Sequence, residues 1–566
     1  MINKLLGTLY FTLLFLSCLI FWKRSYPYVR PMEYFIFLSF VGVVIFVQIM
    51  LLWSCSNKLL LLIIFLEIFF LSVAFNLTQQ MLYKTVTGRD PWEHWLLTQT
   101  ILQDGHVPPF NLVHSPYVKL PEFHLLVATY MLLSGIPYKW ASYIIIGVGS
   151  LLLELLVLYL LTKTLFDKHV ALLAMLFMAT SDVVLYMTGR NIVPNTVGLA
   201  LVFLLLYIFL SETFICSLKT KIIVAILVWS LAFMHTVSYA FAIVQLVLLV
   251  LASLATKRNI TGPNVLWLIS QFILAIFVWA FVSGIYFKGL VLRIYWLLFG
   301  MTRGVSHYFS SLVVPFMLVL LARSGMLLLF GFSGLGILVF MFKNYNRHYV
   351  SRYHLDIILV SSFFIILGLL APFIPSFLGI NERVWYYGEI LGSMYIGYLL
   401  YVMWNLKTRF PLFKLLSLCI VFFMLFLMLT SPMSNDDNPL IKSYSPRTGW
   451  YDSELVAAKF VVLFSNSSVA TDIDFQHFAS VEVGMLNESL RPIPLCNLKT
   501  FEDMLKHNKC LDVLRVALIR SRYFVLGVGY SQRAYLPLGN KTKEVVSRFS
   551  IHKDIIYTTK TVVIFD

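Results

Sequence analysis

Lys58-Leu59-Leu60-Leu61-Leu62-Ile63-Ile64-Phe65-Leu66-Glu67-Ile68-Phe69-Phe70-Leu71-Ser72-Val73-Ala74-Phe75-Asn76-Leu77-Thr78 is the stretch that decides what kind of chain this is. Its interior is apolar on every side and is broken by one carboxylate, Glu67. At about 1.5 Å per residue a helix of this length crosses the ~30 Å hydrocarbon core of a bilayer. Comparable runs lie near 4–22 and 34–54 before it. After it they lie near 138–161, 170–188, 196–212, 221–238, 239–256, 264–283, 325–342, 355–373, 384–404 and 411–430, about thirteen spans in all. No small-residue cleavage site follows Leu5 to Trp22, so that run reads as a retained helix rather than a signal peptide.

Composition agrees. Hydrophobic residues make up 60% of the 566 and charged residues only 12%, against roughly 25% charged in soluble domains. The mean hydropathy is +0.84. The formal charge of +16 does not point to nucleic acid, because the Lys and Arg residues lie in short loops between apolar runs instead of on one face of a soluble domain. They report topology. Lys163 to His169, Lys219 to Lys221, Lys257 to Arg258, Lys343 to Arg352 and Lys407 to Arg409 all fall on one side, which the positive-inside bias makes cytoplasmic. The amino terminus is then inside, while Gln79 to Tyr138, Gly284 to Ser324 and everything after Ser431 are outside. Lys23, Arg24 and Arg30 dissent, since they fall between the first two spans on the outer side.

Three parts follow: two extra amino-terminal helices over 1–57, a membrane domain over 58–430 with an outer loop at 79–138, and a soluble extracytoplasmic α/β domain over 431–566. In the tail, Asp452 or Ser453 can cap a helix through Phe464 and Thr500 one through His507. Val469 to Ile473, Leu514 to Ile519, Tyr523 to Val528 and an Ile555 to Phe565 hairpin read as strands. Sequons at Asn466, Asn487 and Asn540 are compatible with an outer location. Cys496 and Cys510 are the two cysteines of the tail, and whether they are bonded is left open.

The outer loop is too long for a tether. It holds Thr87-Gly88-Arg89-Asp90-Pro91-Trp92-Glu93-His94-Trp95. Asp90 stands before a proline suited to a first helical turn, and Trp92, Trp95, Leu96 and Ile101 make an apolar face, so a helix on the membrane surface is expected. A second such segment runs from Pro121 to Leu133 and ends at Gly135. Asp90 and Glu93 have the spacing of a capping box. A carboxylate at the mouth of a membrane cavity also suits a general base, and the two roles are compatible. His94 follows Asp90 by one helical turn. His106, His114 and His124 are not spaced as zinc ligands.

A span, an acidic residue opening a juxtamembrane helix, a Gly-x-x-Pro turn and a Pro-x-x-His segment together resemble the GT-C membrane glycosyltransferases, among them protein O-mannosyltransferases and aminoarabinose transferases. The matching positions are Asp90, Gly105, Pro108, Pro121 and His124, continued by Thr188-Gly189-Arg190-Asn191-Ile192-Val193-Pro194, by His235 and by the outer carboxy-terminal domain. The two extra amino-terminal helices depart from the pattern. The resemblance implies transfer of a sugar, with inversion, from a polyprenyl (dolichyl) phosphate donor to a glycan, lipid or protein acceptor at the outer face. Asp90 would be the base, with Glu93 second, and Arg383 and Arg190 would bind the donor phosphate, for which the planar guanidinium is well suited. His94, His124, His235, Lys119 and Arg303 are candidate substrate contacts. No metal ligand set stands out, and a divalent metal is left open. One alternative is a transporter or lipid-linked sugar flippase. Another is an oligosaccharyltransferase, against which the nearest string to a WWDYG signature, Trp450-Tyr451-Asp452-Ser453, comes early in the tail.

Overall fold

The structure, a computed structural model, describes residues 2–51, 58–88, 90–109, 116–210, 217–255, 262–283, 316–345, 352–370, 381–406, 412–440, 447, 449–464, 468–471, 510–515, 525–526, 534–535, 555–558 and 562–565. Lys288, Arg293, Arg303, His114, Cys496, the three sequons and the helix expected from Thr500 lie outside them.

The helices run α1 (Ile2–Trp22), α2 (Met32–Leu51), α3 (Lys58–Gln80), α4 (Asp90–Asp104), α5 (Glu122–Ser134), α6 (Tyr138–Ser142), α7 (Gly149–Leu165), α8 (Lys168–Thr180), α9 (Asp182–Leu185), α10 (Pro194–Leu210), α11 (Leu218–Met234), α12 (Thr236–Ala255), α13 (Gly262–Ser283), α14 (Phe316–Tyr345), α15 (Arg352–Leu370), α16 (Asn381–Trp404), α17 (Leu412–Leu429) and α18 (Asp452–Phe464). Helix covers each apolar segment expected from the sequence. By length and composition, six of the described helices can cross a membrane alone, or seven with the bent pair Lys168–Thr180 and Asp182–Arg190. Others fall short in length, as α10 does and as the apolar part of α15, Leu355–Leu370, does, while α16 is rich in Tyr and Gly and carries Glu382, Arg383 and Glu389.

Burial separates core helices from lipid-facing ones. In α8 every residue from His169 to Thr180 is buried, as expected of a helix apolar all round. It packs against α7 and α16. Leu62 and Phe70 of α3 and Phe423 of α17 instead point outward, which is stable only where lipid replaces water. The 170–188 segment is a broken rod. Ser181 is extended (φ −68°, ψ 142°), the chain restarts at Asp182 with a bend of 56°, and Tyr186–Arg190 winds as a π-turn. Such turns are frequent at functional sites.

Arg30, the dissenting charge between α1 and α2, is a buried ion-pair partner. Its Nε and Nη2 donate to Asp437 at 2.9 and 2.8 Å, and its guanidinium lies 4.7 Å from the Phe75 ring centroid. This ties the α1–α2 loop to the segment following α17.

In the tail, α18 begins at Asp452 as the capping signal implied. A four-stranded sheet has the order β1 (Ser468–Ala470), β2 (Cys510–Arg515), β6 (Val562–Phe565), β5 (Ile555–Thr558), with β1 parallel to β2 and the other pairs antiparallel. Strands β3 (Val525–Leu526) and β4 (Ala534–Tyr535) form a separate pair. Strand β2 begins before the expected Leu514, because pairing Val513 with Ile564 puts Leu511 and Val513 into the same apolar cluster as Val562 and Ile564. Tyr28, Tyr83 and Tyr451 stack where α18 meets the membrane domain, and Tyr28 accepts from the Asp452 amide at 3.0 Å.

Candidate functional site

The site begins at the end of α3. Asn76 Nδ2 donates to Thr188 Oγ1 at 3.0 Å and Gln80 Nε2 to the Gly189 carbonyl at 2.6 Å, which pins the π-turn against α3. Gly189 permits this approach, since a Cβ there would overlap the Asn76 side chain. Thr87 bonds the Arg190 carbonyl, and Gly88 turns the chain with φ +95°, where a Cβ would sit 2.6 Å from the Asn191 side chain. The turn delivers Asp90 to the first position of α4, followed by Pro91. Helix α4 is held down by its buried face of Trp92, His94, Leu97, Thr98 and Ile101.

Asp90 is half-buried and lies within electrostatic reach of Glu382 and Tyr186. Arg383 and Arg190 also act on both of those groups, and Arg323 of α14 acts on Glu382. The Arg323 guanidinium stands 4.5 Å from the Trp385 ring centroid, and its Nη1 has no hydrogen-bond partner among the described residues. Asp90 of α4, Glu382 and Arg383 of α16 and Arg190 thus act on Tyr186 of the π-turn, and Arg323 of α14 joins them at Glu382. The loop helix, the broken helix and the α16 start, distant in sequence, share one mouth.

Arg190 has a different setting. Only 3% exposed, it pairs with Asp436 and donates to the carbonyls of Pro432 and Met433 at 3.0 and 2.6 Å. Asp436 also accepts from the Gly449 amide at 2.6 Å. The guanidinium is engaged as a clamp on the chain after α17.

His94 and His124 are fully buried, and His94 Nδ1 lies 3.0 Å from His124 Nε2. Tyr117 packs edge-on to His94 at 4.4 Å. Burial holds His124 down at about 3 and, together with His124 and His235, holds His94 well below the usual imidazole range, so both are neutral at ordinary pH. His235 joins α11 to α12. Its Nδ1 accepts from the Ser238 amide at 3.2 Å, and Ser238 Oγ donates to Asn195 Oδ1 at 3.1 Å. His235 faces both His94 and Arg383 electrostatically, linking the histidines to the charged mouth. Glu93 is half-buried on α4, and Lys119 is half-buried at the end of the tight turn Pro116–Lys119. Arg303 lies outside the described residues.

Asp90 and Arg383 therefore both lie within electrostatic reach of Tyr186 and Glu382, and His94 packs against His124. Sequence reasoning missed Glu382, Arg323, Tyr186 and Asp436. Glu382 sits beside a residue already singled out, and the Asn435-Asp436-Asp437-Asn438 run just after the last span was a readable signal. Tyr186 and Arg323 carried none, being single polar residues at the margins of apolar runs. Among the described residues no three His, Cys, Asp or Glu side chains gather as metal ligands.

These features define a polytopic helical protein with a cluster of charged side chains shared by α4, α14, α16 and the π-turn. No protein-family profile matches the sequence, and no curated protein matches it. Solved structures do match. The archaeal oligosaccharyltransferase AglB from Archaeoglobus fulgidus, in complex with an inhibitory peptide and a dolichol-phosphate, aligns with a TM-score of 0.52 and 12% identity over 85% of this chain and 77% of that one. The Archaeoglobus fulgidus oligosaccharyltransferase in the apo form gives 0.50 and 13% over 81% and 70%. ArnT from Cupriavidus metallidurans bound to undecaprenyl phosphate gives 0.49 and 11% over 90% and 97%. At these identities the likeness is one of fold, and it bears out the GT-C architecture expected from the loop motifs.

Proposed function

We propose that this chain is a membrane glycosyltransferase that moves a sugar from a polyprenyl-phosphate carrier to an acceptor hydroxyl at the outer face. The observation that carries the reading is the shared charge cluster: Asp90 from the loop helix acts on the same Glu382 as Arg383 and Arg323 do, and on the same Tyr186 as Arg383 does. The acceptor oxygen attacks the anomeric carbon, the bond from that carbon to the carrier phosphate breaks, and inversion follows. Asp90 takes the acceptor proton. Arg383, with Arg323 beside it, stabilises the departing phosphate, where cations fixed in advance are most effective. Arg190 holds the scaffold rather than the donor, because its donors are directed at Asp436 and two carbonyls. That a protein of this fold is described in complex with a dolichol-phosphate supports the carrier class.

A second reading, oligosaccharyl transfer to an amide nitrogen, is favoured by one observation: the matching Archaeoglobus structures are oligosaccharyltransferases. One experiment tests both. Purified protein is given radiolabelled polyprenyl-phosphate sugars with a hydroxyl acceptor panel and an Asn-x-Thr peptide. Transfer to a hydroxyl acceptor that is lost in Asp90→Asn supports the first reading, transfer to the peptide supports the second, and absence of any turnover sinks both.

A further inference from the structure

The far ends of α7, α8 and α16 enclose a second feature. Lys163, Asp167, Lys168, His169 and Tyr401 line a shallow depression of about 380 Å³ that is open to the surface. Helix α16 starts at the mouth, with Glu382 and Arg383, and reaches Tyr401 after roughly 27 Å at about 1.5 Å per residue, close to a bilayer's ~30 Å apolar thickness. The depression is therefore on the membrane face opposite Asp90.

Its single carboxylate is already engaged. Asp167 caps α8 by accepting from the amides of His169 and Val170 at 2.7 and 2.9 Å, it lies 3.5 Å from His169 Nδ1, and the Tyr401 hydroxyl bonds it as well. The rings of His169 and Tyr401 stack at 5.9 Å and form a flat wall. Lys163 is exposed and Lys168 half-buried at the rim, so two ammonium groups outnumber one capped carboxylate. Positive-inside bias by itself accounts for lysines in a loop. It does not account for lysines ringing a depression with a stacked aromatic wall, at the depth where lipid headgroups lie.

We propose that this depression binds the phosphate group of an anionic lipid in the leaflet opposite Asp90. A basic pocket between membrane helices at their cytoplasmic ends is the kind of site that holds an acidic headgroup. The lysines hold the phosphate, the aromatic wall carries the headgroup's apolar margin, and the acyl chains run out along α7 and α16. The site is independent of the transfer reaction proposed for the opposite face.

The test is native mass spectrometry of the full-length protein titrated with phosphatidylglycerol in detergent, with phosphatidylcholine and inorganic phosphate as separate arms. Lys163→Gln should weaken phosphatidylglycerol binding roughly fivefold, the factor that one basic group near a membrane surface contributes, and Lys163→Gln with Lys168→Gln should weaken it further. Lys219→Gln, which removes an exposed lysine at the same membrane face but away from the depression, should leave it unchanged. Lys163 is exposed, so its variant leaves folding intact. Equal loss in Lys219→Gln, equal affinity for phosphatidylcholine, or no loss in the double variant would overturn the proposal. Competition by millimolar inorganic phosphate as strong as that of the lipid would refer the site to a soluble anion and overturn the lipid assignment.

Discussion

Two pairs of arginines have opposite surroundings. Arg30 and Arg190 are at most 3% exposed, and each closes on a carboxylate next to α17, Asp437 and Asp436. Arg323 and Arg383 are half-buried and both act on Glu382, as Asp90 does. Removing a partner from a buried, saturated pair leaves an uncompensated charge and costs fold stability. A cation with an accessible face at a cavity mouth costs little to keep and is available to an anionic ligand. The type of residue does not distinguish the two pairs; burial within 3% exposure against a carboxylate does.

The sharpest way to break this division is at the acid. Asp90→Asn should lower turnover by about 10²–10⁴ while leaving thermal unfolding unchanged, since Asn caps a helix nearly as well as Asp but cannot take a proton. Near-wild-type turnover would reduce Asp90 to a cap. On the seam, Arg30→Ala should destabilise the fold by about 3–5 kcal/mol, because Asp437 would be left buried without its counter-charge. An unmoved unfolding midpoint would show that the seam holds nothing. At the mouth, Arg383→Ala should weaken donor binding by about 2–5 kcal/mol without loss of stability, whereas Arg190→Ala should unfold the protein at lower temperature. If the two variants exchange these phenotypes, the comparison fails.

The histidine pair gives the smallest effect. The unfolded chain takes up protons near the ordinary value of 6.5, while burial holds His124 at about 3. Stability is therefore fully present above pH 6.5 and declines as pH falls towards 3, by up to about 1.4 kcal/mol per pH unit for this one group. His124→Gln should flatten that slope in unfolding measured between pH 7 and pH 5. An unchanged slope would show that this histidine is not the group that refuses the proton.

What could be read in advance was whatever depends on local order along the chain. Apolar runs of span length give helices in any bilayer, because every backbone donor and acceptor must be satisfied within the segment. Asp90-Pro91 gives a helix start, and Gly105 and Gly135 give left-handed turns at φ 71° and 69° where α4 and α5 stop. The break at Ser181 escaped, since Ser181-Asp182 sits inside a run whose hydropathy is that of an unbroken span. So did the strand starting at Cys510, whose position is set by its pairing with Val562–Phe565.

The sequence by itself determined a multi-span helical protein and a long loop that opens a helix on a carboxylate, because periodicity and capping act within a few residues. Tertiary structure alone decided which arginine is a clamp and which faces the mouth. Arg190 and Arg383 look alike as basic residues at helix ends, and only packing brings the Asp436 carboxylate and the carbonyls of Pro432 and Met433 onto Arg190. The energy of a charge depends on partners hundreds of residues away and on how much water is left around it, and neither quantity is written in the local sequence.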